Sequence, residues 1–578
     1  MSATIIKKIP FWISFVALGA MIYDLGFSQS PFVSSLLLIL YGVSYFLGLA
    51  GLVSLYLFKN SRPKWKVWFF DGIYFLFVGM ALIVVLGGSI PSFHHPNTWK
   101  YLAIIFVFVR EFSIIKINFN RQYLNPAQLF VVSFIVIILG GMLMILLPNA
   151  TVDGIKPIDA LFTSTSAVCV TGLAVVDTGT YFTTFGQVII LILIQIGGLG
   201  IMTFTSYFSY FFMGGSSYEN QLMLKEMSNS EKIAEVFGTL KKILLFTIFI
   251  ETVGAVIIFI SIEPTLIPNL LDRIFFAFFH SISAFCNAGF STLAAGFYDI
   301  GFRFNYSIQL VVCFLIIMGG IGFPILLNFL SYFKHLTLNR INAIIYRNHY
   351  HYKPWLINMN SRIVVVTTAI LILFGTTMFF ILEYNNTLSE HEIFGKFVVS
   401  FFNAVTPRTA GFNNIDMTAM SFATTMIIIF LMWVGASPGG TGGGIKTTTF
   451  AIGTLNFLSL ARGKNRIEAF GREIADNTVR RAFATISLSL IVIGVAVFTI
   501  SVFDPKVGLL EIAFECFSAY STTGLSLGIT ASLTSESKVV LIICMFVGRV
   551  SMLYILIAFF RQVRNLKYRY PSEEILIN

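Results

Sequence analysis

The sequence predicts an all-α polytopic membrane protein with four pseudo-repeated span, pore-loop and span units around a central pore. About four extra N-terminal spans precede these units. Three observations support this fold class: the composition, a series of apolar runs long enough to cross a bilayer, and a glycine-ended segment that occurs four times.

The composition is typical of a membrane protein. Of the 578 residues, 56% are hydrophobic and only 11% are charged, and the mean hydropathy is +0.84. Soluble domains carry about 25% charged residues. Apolar runs near the roughly 20 residues that a spanning helix needs recur through most of the chain, too many and too internal for a cleaved signal peptide. We therefore expect a multi-pass protein without a soluble domain of useful size.

The net charge of +11 would also suit a nucleic-acid-binding protein, but most basic residues fall in short loops between predicted spans. Cytoplasmic loops of membrane proteins carry such an excess of Lys and Arg. We therefore expect no nucleic-acid partner, a location in the cell (inner) membrane, and cytoplasmic N- and C-termini.

A membrane-embedded enzyme is a hypothesis from another class. The seven histidines form no metal-binding pair within a span, and the His391–Glu392 pair is expected to be solvated in an outer loop. The cysteines lie in apolar segments without metal-ligand spacing and are expected to be small core residues. These are Cys169, Cys286, Cys313, Cys516 and Cys544. The sequence thus favours a protein that is not an enzyme.

The N-terminal extension, residues 1–124, contains four predicted spans: 9–27, 31–58, 67–88 and 99–118. Asp24, Asp71, Arg110 and Glu111 interrupt these apolar runs. Charges inside a membrane are functional candidates by default. Arg110 and Glu111, however, lie near a predicted cytoplasmic end, where long side chains reach water, so we expect structural roles.

From residue 125 the sequence repeats at roughly 115 to 120 residues, enough for two spans and a re-entrant segment. The predicted pore repeats are 125–215, 216–334, 335–462 and 463–578; the third includes a gate loop and the fourth a cytoplasmic tail. Apolar runs of roughly ten residues inside the repeats suit half-helices. Non-helical backbone at membrane depth is tolerated only where protein buries it or water reaches it.

Each half-helix is followed by a glycine, and these glycines lie 117, 122 and 113 residues apart. A dehydrating cation needs several oxygen ligands, which rings of backbone carbonyls supply. Glycine permits the positive φ that such a backbone requires. Any one glycine would suit helix packing equally well, but four in this context predict a selectivity filter. Its residues are Val170, Thr171, Gly172, Leu173, Asn287, Ala288, Gly289, Phe290, Thr409, Ala410, Gly411, Phe412, Thr522, Thr523, Gly524 and Leu525.

This quartet resembles the filters of the Trk/Ktr/HKT potassium-transporter superfamily, particularly the bacterial TrkH and KtrB subunits. The resemblance covers about residues 125–568, and its most specific motif is Thr406-Pro407-Arg408-Thr409-Ala410-Gly411-Phe412. In that family, glycine at all four positions is associated with potassium, whereas serine in the first repeat accompanies sodium selectivity in some plant members. The resemblance therefore implies K⁺ as the transported ion, with a Na⁺-permeable or Na⁺-coupled transporter as the alternative.

The resemblance also implies partners. Members of the family form homodimers and bind a cytosolic ring of nucleotide-binding regulatory subunits of the TrkA/KtrA type. No nucleotide-binding domain is recognised in this sequence, so we expect regulation of that kind to come from a separate protein. The basic loops 334–362 and 461–481 are candidate docking surfaces for it, with membrane lipid as the alternative. The resemblance implies no covalent cofactor, and no metal other than potassium at the filter.

A glycine break is predicted in the last span of each repeat, 24 to 30 residues beyond the filter, and the third is the longest. The breaks are at 197–200, 319–322, Gly435 and Gly548. It includes Pro438, Gly439, Gly440, Gly442, Gly443, Gly444 and Lys446. Proline and repeated glycine exclude a stable helix interior. A phosphate-binding loop is disfavoured because Ile445 separates Gly444 from Lys446 and the preceding apolar run belongs to a membrane hairpin. The resemblance implies instead an intramembrane loop that blocks the pore.

Arg549 lies deep in the last span and is expected to face the cavity, because a charge at the bilayer centre costs at least about 2.5 kcal/mol. The resemblance implies that it forms a constriction with the loop; a structural partner such as a carbonyl or Glu515 is the alternative. Lys446 either adds to this barrier or reaches the interface. Arg408 is expected to brace carbonyls or acids of the pore helix.

Overall fold

The computed structural model describes residues 9–58, 65–86, 96–114, 126–200, 236–346, 357–464, 466–552 and 555–556. Within these residues the chain forms 18 α-helices, a few short 3₁₀ turns and one two-stranded hairpin. The prediction of an all-α protein is confirmed, since that hairpin is the only sheet in the described part of the chain.

The N-terminal extension forms four helices: α1 Ile9–Gly26, α2 Pro31–Phe58, α3 Trp65–Val85 and α4 Pro96–Ile114. They pack around buried tyrosines and aliphatic side chains, including Tyr45, Tyr74 and Val107. The end of α1 contacts the turn Pro148–Ala150, which lies beyond the extension: Asn149 Nδ2 donates to Leu25 O at 3.0 Å.

The polar residues of this extension have partners inside the bundle. Arg110 lies 2.9 Å from Glu111 and 3.6 Å from Asp71, and the hydroxyl groups of Tyr41 and Tyr101 donate to Asp24. A buried charge is costly unless it is paired and hydrogen-bonded. These contacts agree with the structural roles expected from the sequence.

Four further groups of helices follow, which we call units one to four. Unit one has α5 Pro126–Ile145, α6 Pro157–Val168 and α7 Thr184–Gly198; unit two has α8 Val236–Ser261, α9 Leu270–Cys286, α10 Tyr306–Ile321 and α11 Phe323–Tyr346. Unit three has α12 Met359–Glu383, α13 Ile393–Val405, α14 Phe422–Trp433 and α15 Thr447–Ala461; unit four has α16 Asp476–Phe503, α17 Leu509–Ser521 and α18 Ser535–Val550. The hairpin of β1 Glu468–Ala469 and β2 Arg472–Glu473 lies between α15 and α16.

By length and composition, six described helices can cross a membrane, which confirms the multi-pass prediction. They are α1, α2, α3, α8, α12 and α16. The α10–α11 pair is bent by 100° and makes a seventh if it is taken as one span. α4 has similar length but contains Lys100, Arg110 and Glu111, and it is not one of the six.

The units share their local construction. In each unit, the helix that follows the short second helix is called the exit helix. It begins at a polar residue whose side-chain oxygen accepts a backbone N–H of the first turn. These N-caps are Thr183, Asn305, Ser421 and Thr534, with accepting distances of 3.2 to 3.4 Å. The same device therefore fixes the start of α7, α10, α14 and α18.

The short helices α6, α9, α13 and α17 arrange the units in a circle. Each packs against the first helix of its own unit and against the exit helix of the unit before it: α9 on α7, α13 on α10, and α17 on α14. The short helix of unit one, α6, packs on α18 of unit four. The order of contacts therefore closes on itself.

Three of the four predicted glycine breaks coincide with helix ends. α7 ends at Gly198, α10 ends before Gly322, and α14 ends before Gly435. The fourth is wrong in position, because α18 continues through Gly548 to Val550 and the chain turns at Ser551. Gly548 is instead required for close packing, since a Cβ there would collide with the carbonyl oxygen of Tyr520.

Candidate functional site

The four predicted filter stretches, 170–173, 287–290, 409–412 and 522–525, form a closed ring; we call them the glycine segments. Each glycine lies against the residue that precedes the next glycine, so that a Cβ on it would collide with a carbonyl oxygen. The pairs are Gly172 with Ala288, Gly289 with Ala410, Gly411 with Thr523, and Gly524 with Thr171. The ring leaves no room for a side chain at any of the four positions.

The glycine segments share an unusual backbone. The glycines have φ of 88°, 69°, 80° and 89° in chain order, and the residue two positions earlier is also left-handed. Those residues are Val170, Asn287, Thr409 and Thr522, with φ from 51° to 76°. Positive φ is a genuine outlier for β-branched residues and persists only where the surrounding structure imposes it. Such alternation of positive and negative φ suits a ring of inward carbonyl groups.

Hydroxyl groups of the preceding helix hold each glycine segment. Ser166 Oγ accepts from Gly172 N at 3.1 Å, and Ser518 Oγ accepts from Gly524 N at 3.0 Å. In units two and three the hydroxyl donates instead, from Ser283 Oγ to Phe290 O and from Thr406 Oγ1 to Phe412 O, both at 2.7 Å. The holding role of these four hydroxyl groups was not predicted from the sequence, although Thr406 begins the most specific motif. The available signal is a Ser or Thr five or six residues before each glycine.

A second set of bonds joins the short helix to the chain beyond the glycine in three units. His280 Nε2 lies 2.9 Å from Ser291 Oγ, Asn403 Nδ2 donates to Asn414 Oδ1 at 2.7 Å, and Ser526 Oγ donates to Glu515. Each bond spans eleven residues. We call these three pairs the outer clamps, and sequence reasoning missed them.

A cavity of about 260 Å³ opens at one end of the ring, and we call it the mouth cavity. All four ring glycines line it. The clamp residues Ser291 and Ser526 also line it, together with Asp177 and Asn413. The ring is therefore reached through a polar chamber wide enough for several water molecules.

The predicted gate loop lies at the opposite end of the ring. Residues 434–446, here called the glycine loop, are non-helical, as the sequence predicted, and a bridge pairs Val434 with Ile445. Backbone bonds tie the loop to the bend of unit two: Ser437 N donates to Gly320 O at 3.0 Å, and Thr441 N donates to Gly319 O at 3.2 Å. The loop is thus held by the neighbouring unit.

The glycine loop contacts the ring directly. Gly443 N donates to Thr522 Oγ1 at 2.9 Å, and a Cβ on Gly442 would collide with the hydroxyl of Thr409. Thr409 and Thr522 are the left-handed residues that begin two glycine segments. The loop therefore lies against the end of the ring that faces away from the mouth cavity.

The three basic side chains that the sequence analysis singled out all contact the backbone of this loop. Arg549 donates to Thr441 O and to Gly197 O, and Lys446 Nζ donates to Gly442 O at 2.7 Å. Arg408 donates to Gly435 O at 3.4 Å rather than bracing its own pore helix as expected, and its Nε has no partner. Within the described residues none of the three forms a salt bridge.

In the part of the chain that the structure describes, the partners of Arg549 are carbonyl groups and not an acid. Arg549 does not pair with Glu515, whose carboxylate accepts from Ser526 and Thr530. Arg549 instead binds two carbonyl groups, on the glycine loop and on the end of α7. A guanidinium bound only to carbonyl groups retains its full positive charge.

The prediction that His391 and Glu392 are both solvated is wrong for His391 only. Glu392 is exposed, but His391 is only 5% exposed, because its ring lies against Phe304 and its Nδ1 is 3.1 Å from Tyr306 Oη. Burial lowers the pKa of His391, and the nearby Arg303 and Lys396 lower it further. The cysteines are buried and free, as expected, and no cluster of metal ligands occurs in the described part of the chain.

Comparison with known proteins identifies the family. The family model for TrkH, described as a cation transport protein, matches residues 96–568. The chain is 36% identical over 467 residues to the potassium/sodium uptake protein NtpJ of Enterococcus hirae, covering 79% of this chain and 98% of that protein. It is 35% identical over 453 residues to the Ktr system potassium uptake protein B of Bacillus subtilis, covering 78% and 96%.

The fold has a solved counterpart. The crystal structure of the potassium transporter TrkH from Vibrio parahaemolyticus superimposes with a TM-score of 0.59 at 17% identity, covering 91% of this chain and 97% of that chain. At this identity the likeness shows a shared fold alone. On the family model and the two relatives, this chain belongs to the TrkH family of cation transport proteins and is a transporter rather than an enzyme.

Proposed function

We propose that this chain takes up potassium across the cell membrane by passage through the ring of glycine segments. The observation that carries the proposal is the closed ring itself, which opens on the mouth cavity and has a glycine from each unit. The relatives named as potassium uptake proteins support it. The transported ion is K⁺, and no covalent cofactor takes part.

Backbone carbonyls are the proposed ligands of the ion. They replace its hydration shell without a formal charge that would hold the ion too tightly. The short helices α6, α9, α13 and α17 direct the negative ends of their dipoles toward the ring. Glycine at all four positions favours potassium. A sodium-permeable or Na⁺-coupled transporter is the second candidate, supported by the name of the Enterococcus relative, which includes sodium.

The glycine loop and Arg549 are the proposed gate. The loop lies against the end of the ring that faces away from the mouth cavity, and the Arg549 guanidinium is bound to its Thr441 carbonyl. A fixed positive charge in a low-dielectric passage repels a cation strongly. Conduction therefore requires the loop to leave the ring, and Lys446 moves with it because its ammonium is bound to Gly442 O.

We further propose the surrounding assembly. Repeats 125–215, 216–334, 335–462 and 463–578 form the pore, and residues 1–124 form a separate extension. Two copies form a homodimer in the cell membrane with cytoplasmic termini, and nucleotide-binding subunits of the TrkA/KtrA type dock on the basic segments 334–362 and 461–481, which include the end of α11 and the start of α16. The second segment includes the β1–β2 hairpin and, just before it, the exposed Lys464 and Arg466, which pair with Glu468 and Glu473.

Radioactive rubidium uptake into vesicles that contain the purified protein tests the function. We expect uptake above that of protein-free vesicles, strong competition by potassium, and weak competition by sodium at the same concentration. Equal competition by sodium would favour the second candidate. A variant lacking residues 439–444 is assayed in parallel, so that a closed gate is not mistaken for an inactive protein; no uptake by either protein would refute the proposal.

A further inference from the structure

The mouth cavity has an uneven distribution of charge. The position five residues beyond each ring glycine is occupied by Asp177, Ala294, Asp416 and Ile529 in units one to four. The acids therefore belong to units one and three, which are not neighbours in the ring. Asp177 is the only charged residue among the described residues that line the cavity.

The carboxylate of Asp177 is held in a fixed orientation. Its Oδ1 accepts from both the backbone N and the hydroxyl of Thr180, each at 2.7 Å. Asp177 also shares the cavity wall with Gly172 and the other ring glycines. A negative charge is thus fixed on the wall of the chamber that leads to the ring.

Asp416 is held in a similar way but is more distant from the chamber. Its Oδ1 accepts from Thr418 N at 2.9 Å and from Thr418 Oγ1 at 2.7 Å. These bonds from Thr418 lower the pKa of Asp416, which keeps it ionised in mild acid. Its side chain is exposed, and only the next residue, Met417, lines the cavity.

We propose that Asp177 recruits monovalent cations into the mouth cavity before they lose water, with Asp416 making a smaller contribution. The inference rests on the proposed function, because it takes the mouth cavity to be the entrance through which transported ions reach the ring. Charge of one sign in a concave site with low-dielectric walls raises the local concentration of counter-ions. Asp177 is not part of the ring, so it changes how readily ions arrive and not how fast they pass at saturation.

The first test measures rubidium uptake at several rubidium concentrations, with ionic strength set by an impermeant organic salt. Asp177→Asn should raise the half-saturating concentration on the order of three- to tenfold at about 10 mM ionic strength. The maximal rate should not change, and the difference should vanish near 0.5 M salt, where the Debye length falls to a few Å. Asp416→Asn should produce a smaller shift.

Asp153→Asn is the matched control, since Asp153 is exposed before α6 and does not line the cavity. An unchanged half-saturating concentration in Asp177→Asn at low salt would overturn the inference. So would an equal shift in Asp153→Asn, or a fall in maximal rate alone. Uptake by the unsubstituted protein is measured first, which separates failure of the proposed function from failure of this inference.

A second test needs no transport. Ala174 lines the mouth cavity and is exposed, whereas the native cysteines are buried, so Ala174→Cys provides one reactive thiol there. Cationic and anionic methanethiosulfonate reagents then report the potential of the cavity. Adding Asp177→Asn should reduce the ratio of cationic to anionic reaction rates several-fold at low salt. An unchanged ratio would overturn the inference even if the protein moved no ions.

Discussion

Lys538 Nζ lies 2.9 Å from Asp159 Oδ1, and the two residues are 379 positions apart in the chain. Lys538 belongs to α18 of unit four, and Asp159 belongs to the first turn of α6 in unit one. This ion pair joins the last unit to the first. Both side chains are largely buried, so the circle of units is closed by a desolvated salt bridge.

Asp159→Asn should therefore destabilise the protein by about 3 to 5 kcal/mol, because removal of one partner leaves the other charge buried and unpaired. Thermal unfolding in detergent, followed by tryptophan fluorescence, measures the loss. Glu468→Gln is the control: it removes the exposed pair of Lys464 and Glu468, which should contribute at most about 1 kcal/mol. Similar losses in the two variants would contradict a special role for the Lys538 pair.

Gly172→Ser should weaken the preference for potassium over sodium. The backbone at Gly172 has φ of 88°, and a side chain there would displace the carbonyl of Ala288 from the ring. The measurement is the permeability ratio in vesicles. Gly154→Ser imposes the same kind of backbone strain, at φ of 77°, but has no atom within 4 Å of the new Cβ and should leave the ratio unchanged. An unaltered ratio in Gly172→Ser would remove Gly172 from the filter.

Arg549→Ala, or deletion of residues 439–444, should raise cation flux without changing selectivity. The first change removes a positive charge bound to the loop, and the second removes the part of the loop that contacts the end of the ring opposite the mouth cavity. Rubidium flux and the permeability ratio are measured together. Arg549→Lys keeps the charge and should keep the flux low, while unaltered flux in both the alanine and the deletion variants would count against this gate.

The outer clamp of unit four predicts coupled effects on selectivity. Glu515→Gln replaces one of two acceptor oxygens by an amide donor, and Ser526→Ala removes a hydroxyl that donates to Glu515. Each should reduce the preference for potassium, and the double variant should lose less than the sum by about 0.5 to 3 kcal/mol. The permeability ratio in a double-mutant cycle measures this coupling.

Thr163→Val is the control for that cycle. Thr163 is the counterpart of Glu515 in unit one, where Ala174 replaces Ser526 and no clamp forms; its hydroxyl donates to Asp159 O within its own helix. Selectivity should therefore not change. Strict additivity of Glu515→Gln and Ser526→Ala would show that the clamp does not support the ring.

Local sequence determined much of the fold. Short apolar runs that end on glycine predicted the half-helices, because ten apolar residues cannot cross a bilayer. The run from Pro438 to Gly444 predicted a non-helical loop, because proline and glycine oppose helix at any location. The length of an apolar run and the tendency to form helix both depend on residues that are close together in the chain.

The tertiary structure decided which distant residues meet. Nothing local to Lys538 indicates Asp159 as its partner, and nothing local to Gly443 indicates Thr522, since both contacts depend on the circular order of the units. His391 is buried for the same reason, because Tyr306 and Phe304 of unit two cover it. The sequence by itself determined the membrane class, the four glycine segments and the loop, because hydropathy and backbone preference are short-range properties. The closed ring, its clamps and its mouth cavity are products of packing between units.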